Sequence, residues 1–208
     1  IISFTIRTPT GRYLHHNAVV AILNDLFGIQ ARGGCSCAGP YGHALLGVDI
    51  ERSRDFEREV SRGCEGIKPG WTRINFNYFI SEAVFDYVVR AVAMVASHGW
   101  RLLDKYQFNP VTGIWHHSSK QRGTPLHLYD IEYDSEGSLH YPHRDDHASE
   151  SVLVRQLAEA EAILLAADPA PLAEPRSADL AACGVDPGGF ESLRWFDLPA
   201  ASIPPASS

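Results

Sequence analysis

The spacing of apolar positions divides the N-terminal half of the chain into strands and helices. In "IISFTIR" the apolar residues Ile2, Phe4 and Ile6 alternate with polar ones, which predicts a strand. "LHHNAVVAILNDLFG" instead places Val19, Ile22, Leu23, Leu26 and Phe27 at helical spacing, and Gly28 suits a helix C-terminus. "GIQAR" reads as a short strand running into a loop, and "PYGHALLG" as a short helix with Pro40 in its first turn. "RSRDFEREVSRGCEG" is a charged helix with a narrow apolar side, Phe56 and Val60, beginning near Ser53. "TRINFNYF" alternates again, with Ile74, Phe76 and Tyr78 against Arg73, Asn75 and Asn77. "SEAVFDYVVRAVAMVASHGW" carries the clearest helical stripe, Val84, Phe85, Val88, Val92 and Val95, with Ser81 as its cap.

This order, β-α-β-α-α-β-α, predicts an α/β fold of the two-layer α+β sandwich type. Its sheet is small, mixed or antiparallel, with helices packed mainly on one face. Phe4, Ile6, Leu23, Leu26, Ile74, Phe76, Val84, Phe85, Val88 and Val92 are expected to share one core. Further on, "YQFNPVTGIWHH" and "LHLYDIEYDSEGSLHYPH" have the turn chemistry of hairpins, and "SESVLVRQLAEAEAILLAA" that of an amphipathic helix. From Asp168 onward Pro, Ala, Ser and Gly dominate, so little order is expected there beyond "GFESLRWFDLP". The expected organisation is therefore a domain over 1–106, a hairpin-and-helix extension over 107–167 and a largely disordered tail over 168–208.

Composition narrows the function classes. A length of 208 residues and a hydrophobic fraction of 45% suit one domain with appendages and a true core. The net charge of −7 argues against a nucleic-acid binder, which needs a basic face for phosphates. No apolar run of about 18 residues offers a membrane span. The chain starts at Ile1 and enters a strand at once, which suggests a piece of a longer or processed protein. Four cysteines without regular spacing make no disulfide framework, and a reducing cytoplasmic setting is expected.

The candidate chemistry lies in "IQARGGCSCAGP", residues 29–40. Cys35 and Cys37 are half of a zinc ligand set at most, because Cys64 stands alone, Cys183 falls in the tail and no helix pairs two histidines at i and i+4. The adjacent histidine pairs read as solvated strand or loop edges. Redox dithiols use a C-x-x-C spacing at a helix start, which this is not. A buried thiol in a tight glycine turn remains open. Against it stands Arg32, which a strand end would place reproducibly and which favours a thiolate nearby. Arg73, on the polar side of its strand, is suited to a bidentate grip on a carboxylate. Taken alone it reads more readily as a surface arginine at a strand edge.

Together these stretches resemble the C-terminal small domain of the class V aminotransferase family, pyridoxal-phosphate enzymes that include the cysteine desulfurases. Arg32-Gly33-Gly34-Cys35-Ser36-Cys37-Ala38-Gly39-Pro40 is similar to that family's R-x-G-x-x-C-A-x-P loop, with Cys37 at the nucleophile position and Cys35 an added thiol. The family's later R-x-S-x-x-x-Y-N-T strand is matched by Arg73 through Ser81, followed by Asp86. Asn75 replaces the small hydroxyl residue there and Phe79-Ile80 replaces Tyr-Asn, which places the chain outside the best-known desulfurases. The resemblance spans roughly residues 1 to 105.

The resemblance implies an enzyme that uses pyridoxal 5'-phosphate as an electron sink. Arg73 would hold the carboxylate of an amino-acid substrate, and Arg32 would bind substrate or steady the loop. Cys37 would accept sulfur as a persulfide. A homodimer is implied for the full-length enzyme. The family's cofactor lysine belongs to a large upstream domain. Lys68, Lys105 and Lys120 have no such setting, so this chain is expected to be the small domain of a larger enzyme and inactive alone. Two alternatives stay open: an aminotransferase or lyase without use of Cys37, and a non-enzymatic protein-interaction module.

Overall fold

A central strand with an antiparallel neighbour on each side organises the N-terminal half. In this computed structural model, which describes residues 1–35, 39–119, 128–141, 149–169, 177–199 and 202–203, β1 (Ile2–Phe4) and β2 (Arg32–Gly34) both pair with β3 (Trp71–Ile74). The register sets Ile2 opposite Ile74 and Phe4 opposite Thr72 on one side, and Arg32 opposite Arg73 on the other. The fold is mixed α+β with small antiparallel sheets, and β1 and β3 share a sheet as the alternation predicted.

Helix α1 (His16–Phe27) covers the inner face of this sheet with Ala18, Val19, Ile22, Leu23 and Phe27 buried. Its ends are set by local chemistry. His15 Nδ1 accepts the Asn17 N–H at 3.2 Å, and Gly28 closes the helix in the left-handed region at φ 65°. The Thr72 hydroxyl donates to the His16 carbonyl at 3.2 Å, tying helix to sheet. On the opposite face lies α2 (Gly39–Leu45), where Gly42 faces the Trp71 ring; helices therefore do not occupy one face alone. Helix α3 (Ile50–Ser61) starts three residues before Ser53, because the Asp49 carboxylate accepts the Arg52 N–H at 2.8 Å.

Helix α4 (Glu82–His98) is capped by Ser81, as expected, through a 3.2 Å bond from the Val84 N–H. Its deepest residues differ from the predicted stripe. Tyr87, Ala91 and Val95 are buried, Val88 and Val92 are half-buried, and Phe85 is 40% exposed. The reason is that the helix has two neighbours, α1 and the late helix α5 (Val152–Ala166). Tyr87 lies between them and donates its hydroxyl hydrogen to the Phe27 carbonyl at 2.9 Å.

The predicted hairpins form as β4 (Tyr106–Phe108) with β5 (Trp115–His117), and β6 (Glu132–Tyr133) with β7 (Leu139–His140). The boundary expected at residue 106 is not a boundary of the core. Phe108, Trp115, Leu157, Ala160 and Leu164 belong to the same buried cluster as Ile22 and Leu23.

The expected disordered tail over 168–208 is corrected for its described residues. Helices α6 (Ser177–Ala182) and α7 (Pro187–Leu193) form, and Leu180, Val185, Phe190, Leu193, Phe196, Leu198 and Ile203 are buried. Composition misled because it averages over the segment. The apolar residues are few, but each enters a site prepared by the rest of the chain, where a buried Leu or Phe contributes about 1.5–3 kcal/mol. Several polar groups are satisfied as well, although the buried Ser202 hydroxyl has no partner among the described residues. Asp197 accepts from the Thr8 hydroxyl and from the Thr10 hydroxyl, and the Trp195 indole donates to the Ile67 carbonyl at 3.0 Å. Tyr13 exchanges backbone bonds with Trp195 and Asp197.

Candidate functional site

Period two along β3 puts Trp71 and Arg73 on the outer face of the sheet, while Thr72 and Ile74 point inward and are buried. The strand register then adds Ser3 of β1 and Arg32 of β2 on either side of Arg73. The outer face thus carries a row of hydroxyl, guanidinium and guanidinium across three strands. Arg73 is half-buried and Arg32 exposed. Arg73 and Ser3 line a cleft of about 420 Å³ whose other walls include Trp71, Tyr41, Leu45 and Leu46. Such a volume holds a small molecule.

Among the described residues neither the Arg32 nor the Arg73 side chain has a hydrogen bond or an ion pair, and none of the described residues lining the cleft is an Asp or Glu. Two like charges directly opposite each other on paired strands are destabilising, and this row is not a structural ion-pair network.

The sheet is held from beneath by buried polar groups. Asn17 donates its amide hydrogen to the Gly113 carbonyl at 2.7 Å and sets its Oδ1 3.0 Å from His16 Nδ1. The other ring nitrogen of His16 lies 3.3 Å from the Lys68 carbonyl. His15 is 1% exposed and its Nε2 is 3.1 Å from the Gly66 carbonyl. Because His15 Nδ1 accepts a backbone N–H, its one proton is on Nε2. Burial pushes the pKa of His15 well down, with the neighbouring His16 adding to the effect. Burial also lowers His16, against the opposing pull of its two oxygen partners. The reading of this pair as a solvated edge is therefore corrected. Both rings sit against Trp195, and His15 also against Phe108 and Phe196. No apolar periodicity marked them, because their burial comes from the tail, far away in sequence.

Glycine allows the close packing of β2 on β3. A Cβ on Gly70 would lie 2.6 Å from the Gly34 carbonyl carbon and 2.7 Å from the His16 ring. Cys37 lies outside the described residues. Cys35, at the end of β2, is half-buried and free. Cys64 is a buried thiol whose pKa is raised to about 11, chiefly by burial. Among the described residues no three His, Cys, Asp or Glu side chains are grouped to hold a metal. Among the same residues no helix is long and apolar enough to cross a membrane.

The structure thus brings Arg32 and Arg73 together, which their separation of some forty residues concealed. Trp71 was missed, although its place two residues before Arg73 in an alternating strand was a usable signal. Ser3 and Tyr41 had no signal, because strand register and the docking of α2 bring them in. Comparison with known proteins adds no family: no family model, no curated protein and no solved structure matches the chain.

Proposed function

We propose that this chain is the carboxylate-binding small domain of a pyridoxal-phosphate enzyme of the class V aminotransferase and cysteine desulfurase type. The observation that supports it is the pair of uncompensated guanidiniums, Arg32 and Arg73, beside a small cleft free of carboxylates. In this reading Arg73 grips the carboxylate of an amino-acid substrate with two parallel N–H bonds, and Ser3 adds a hydroxyl on the far side. Cys37 is the sulfur-accepting nucleophile, and the working enzyme is a cytoplasmic homodimer.

The described residues do not by themselves fit the cofactor. Its Schiff base needs a lysine at the site, and none lines the cleft. Lys68 lies 3.6 Å from the Glu65 carboxylate and Lys105 2.7 Å from that of Asp104. This reading therefore assigns pyridoxal-phosphate binding to a further domain.

The test is a titration of the chain with alanine, followed by NMR shifts of the Trp71 indole. Arg73→Ala is expected to weaken binding roughly ten- to a hundredfold, because charge-assisted bonds contribute about 1.5–3 kcal/mol. Equal affinity for the two proteins would remove the proposal. In the enzyme that contains this domain, Cys37→Ser abolishes sulfur transfer if the thiol is the acceptor. Unchanged turnover would leave an aminotransferase or lyase that does not use Cys37.

A second reading, a protein-interaction module, is favoured by the β6–β7 ribbon. Tyr133 and Leu139 pair on one face of it and are 70% and 48% exposed. It predicts that Tyr133→Ser abolishes partner capture while alanine binding is unchanged.

A further inference from the structure

We propose that the substrate of this cleft carries two anionic groups: an α-carboxylate held by Arg73 and Ser3, and a short side chain ending in a second anion that meets Arg32. This rests on the carboxylate-binding reading above and specifies its substrate class as acidic amino acids of aspartate-like length.

Arg32 and Arg73 are direct cross-strand partners, so their side chains leave the same face with Cβ atoms about 4.5–5.5 Å apart. Two cations at that separation repel unless something between them is negative. The described residues do not supply it, although the chain has 25 acidic residues for 18 basic ones. Several other arginines are engaged, Arg58 with Asp55, Arg62 with Glu59, Arg194 with Glu191 and Arg101 with the Ala167 carbonyl; among the described residues Arg12, Arg54 and Arg90 are not, but none of these three lies directly across a strand pair from another arginine. At this row, acids are missing from the cleft lining while uncharged Ser3, Tyr41 and Trp71 are present.

Counting charges then separates one anion from two. A carboxylate gripped bidentately by Arg73 still has lone pairs for the Ser3 hydroxyl, but it brings one negative charge against two positive ones. The second guanidinium stays uncompensated. A ligand with another anion a few bonds away satisfies both and relieves the repulsion. The order Ser3, Arg73, Arg32 across the strands assigns the ends. Arg73 and Ser3 line the cleft and take the α-carboxylate. Arg32, on the exposed edge strand, takes the distal group. The walls Tyr41, Leu45 and Trp71 offer that group no charge.

Aspartate and asparagine test this, because they have nearly the same shape and differ in the side-chain charge. Each is titrated into the chain at neutral pH and constant low ionic strength, with NMR or calorimetry as the readout. Aspartate is expected to bind about three- to tenfold more tightly, the range for a charge-assisted bond at an exposed arginine. The net charge of −7 gives no general preference for the more negative ligand, so the preference reports the site. Arg32→Gln should lower aspartate affinity to that of asparagine and so remove the preference, whereas Arg73→Gln should weaken both ligands. Equal binding of the two by the wild-type chain, or a preference that survives Arg32→Gln, overturns the two-anion inference while the carboxylate-binding reading stands. If aspartate, asparagine and alanine all fail to bind, both fall together.

Discussion

Acid should loosen this fold before its carboxylates titrate, and His15 is the reason. In the folded chain its imidazole is 1% exposed, donates Nε2–H to the Gly66 carbonyl and uses Nδ1 to cap α1. Burial holds its pKa well below the ordinary value. In the unfolded chain the same ring titrates near pH 6.5. Below that pH the unfolded state binds the extra proton, so stability is full above about pH 6.5 and falls as pH drops toward the folded pKa. Between about pH 7.5 and pH 5.5, a histidine that stays neutral in the fold costs about 1.4 kcal/mol of stability. His16 moves in the same direction by less, because the Asn17 and Lys68 oxygens beside it favour the imidazolium. The pair is thus expected to lose about 1.4 to 2.7 kcal/mol over that interval. Urea unfolding followed by tryptophan fluorescence at a series of pH values reads this as a midpoint lower by roughly half a molar or more. His15→Phe fills the space without a titrating group. It should be less stable at neutral pH, for want of the cap and the Gly66 bond, but should lose at least half of the pH slope. A wild-type midpoint flat across the interval, or the same slope in His15→Phe, would refute the reasoning.

Three other outcomes are expected. Gly70→Ala presses a methyl group against the Gly34 backbone and the His16 ring, and thermal unfolding should show a loss of about 1–3 kcal/mol. Phe190→Ala or Phe196→Ala empties a fully buried site, which should cost about 3–5 kcal/mol and make the C-terminal segment sensitive to limited proteolysis; an unchanged proteolysis pattern would show that the tail does not depend on these anchors. Iodoacetamide at neutral pH should modify Cys64 last among the cysteines, since its pKa is pushed up to about 11; mass spectrometry of the peptides decides this, and early labelling of Cys64 would contradict its burial.

Local pattern was enough to recognise α1, α4, α5 and both hairpins. Their signals lie within a few residues of one another: Gly28 at a C-terminus, Ser81 at an N-terminus, apolar residues three and four apart, and turn residues between alternating strands. Period two, extended one residue back from Thr72, also puts Trp71 with Arg73, a signal the strand reading left unused. What local pattern lacks is the position of partners distant in the chain. The order β1-β3-β2 and its register decided that Arg32 meets Arg73, because hydrogen bonds between strands fix which residues oppose one another. The same holds for α4, apolar over more than one stripe, where the neighbours α1 and α5 selected Tyr87, Ala91 and Val95 as the deepest residues. His15 and His16 look like surface residues until the tail closes over them. A proline- and alanine-rich tail looks unable to fold until the rest of the chain offers a surface for Phe190, Phe196 and Ile203. Residue spacing determines which elements form; burial and charge opposition depend on long-range packing, whose entropy cost is recovered only once the whole core assembles.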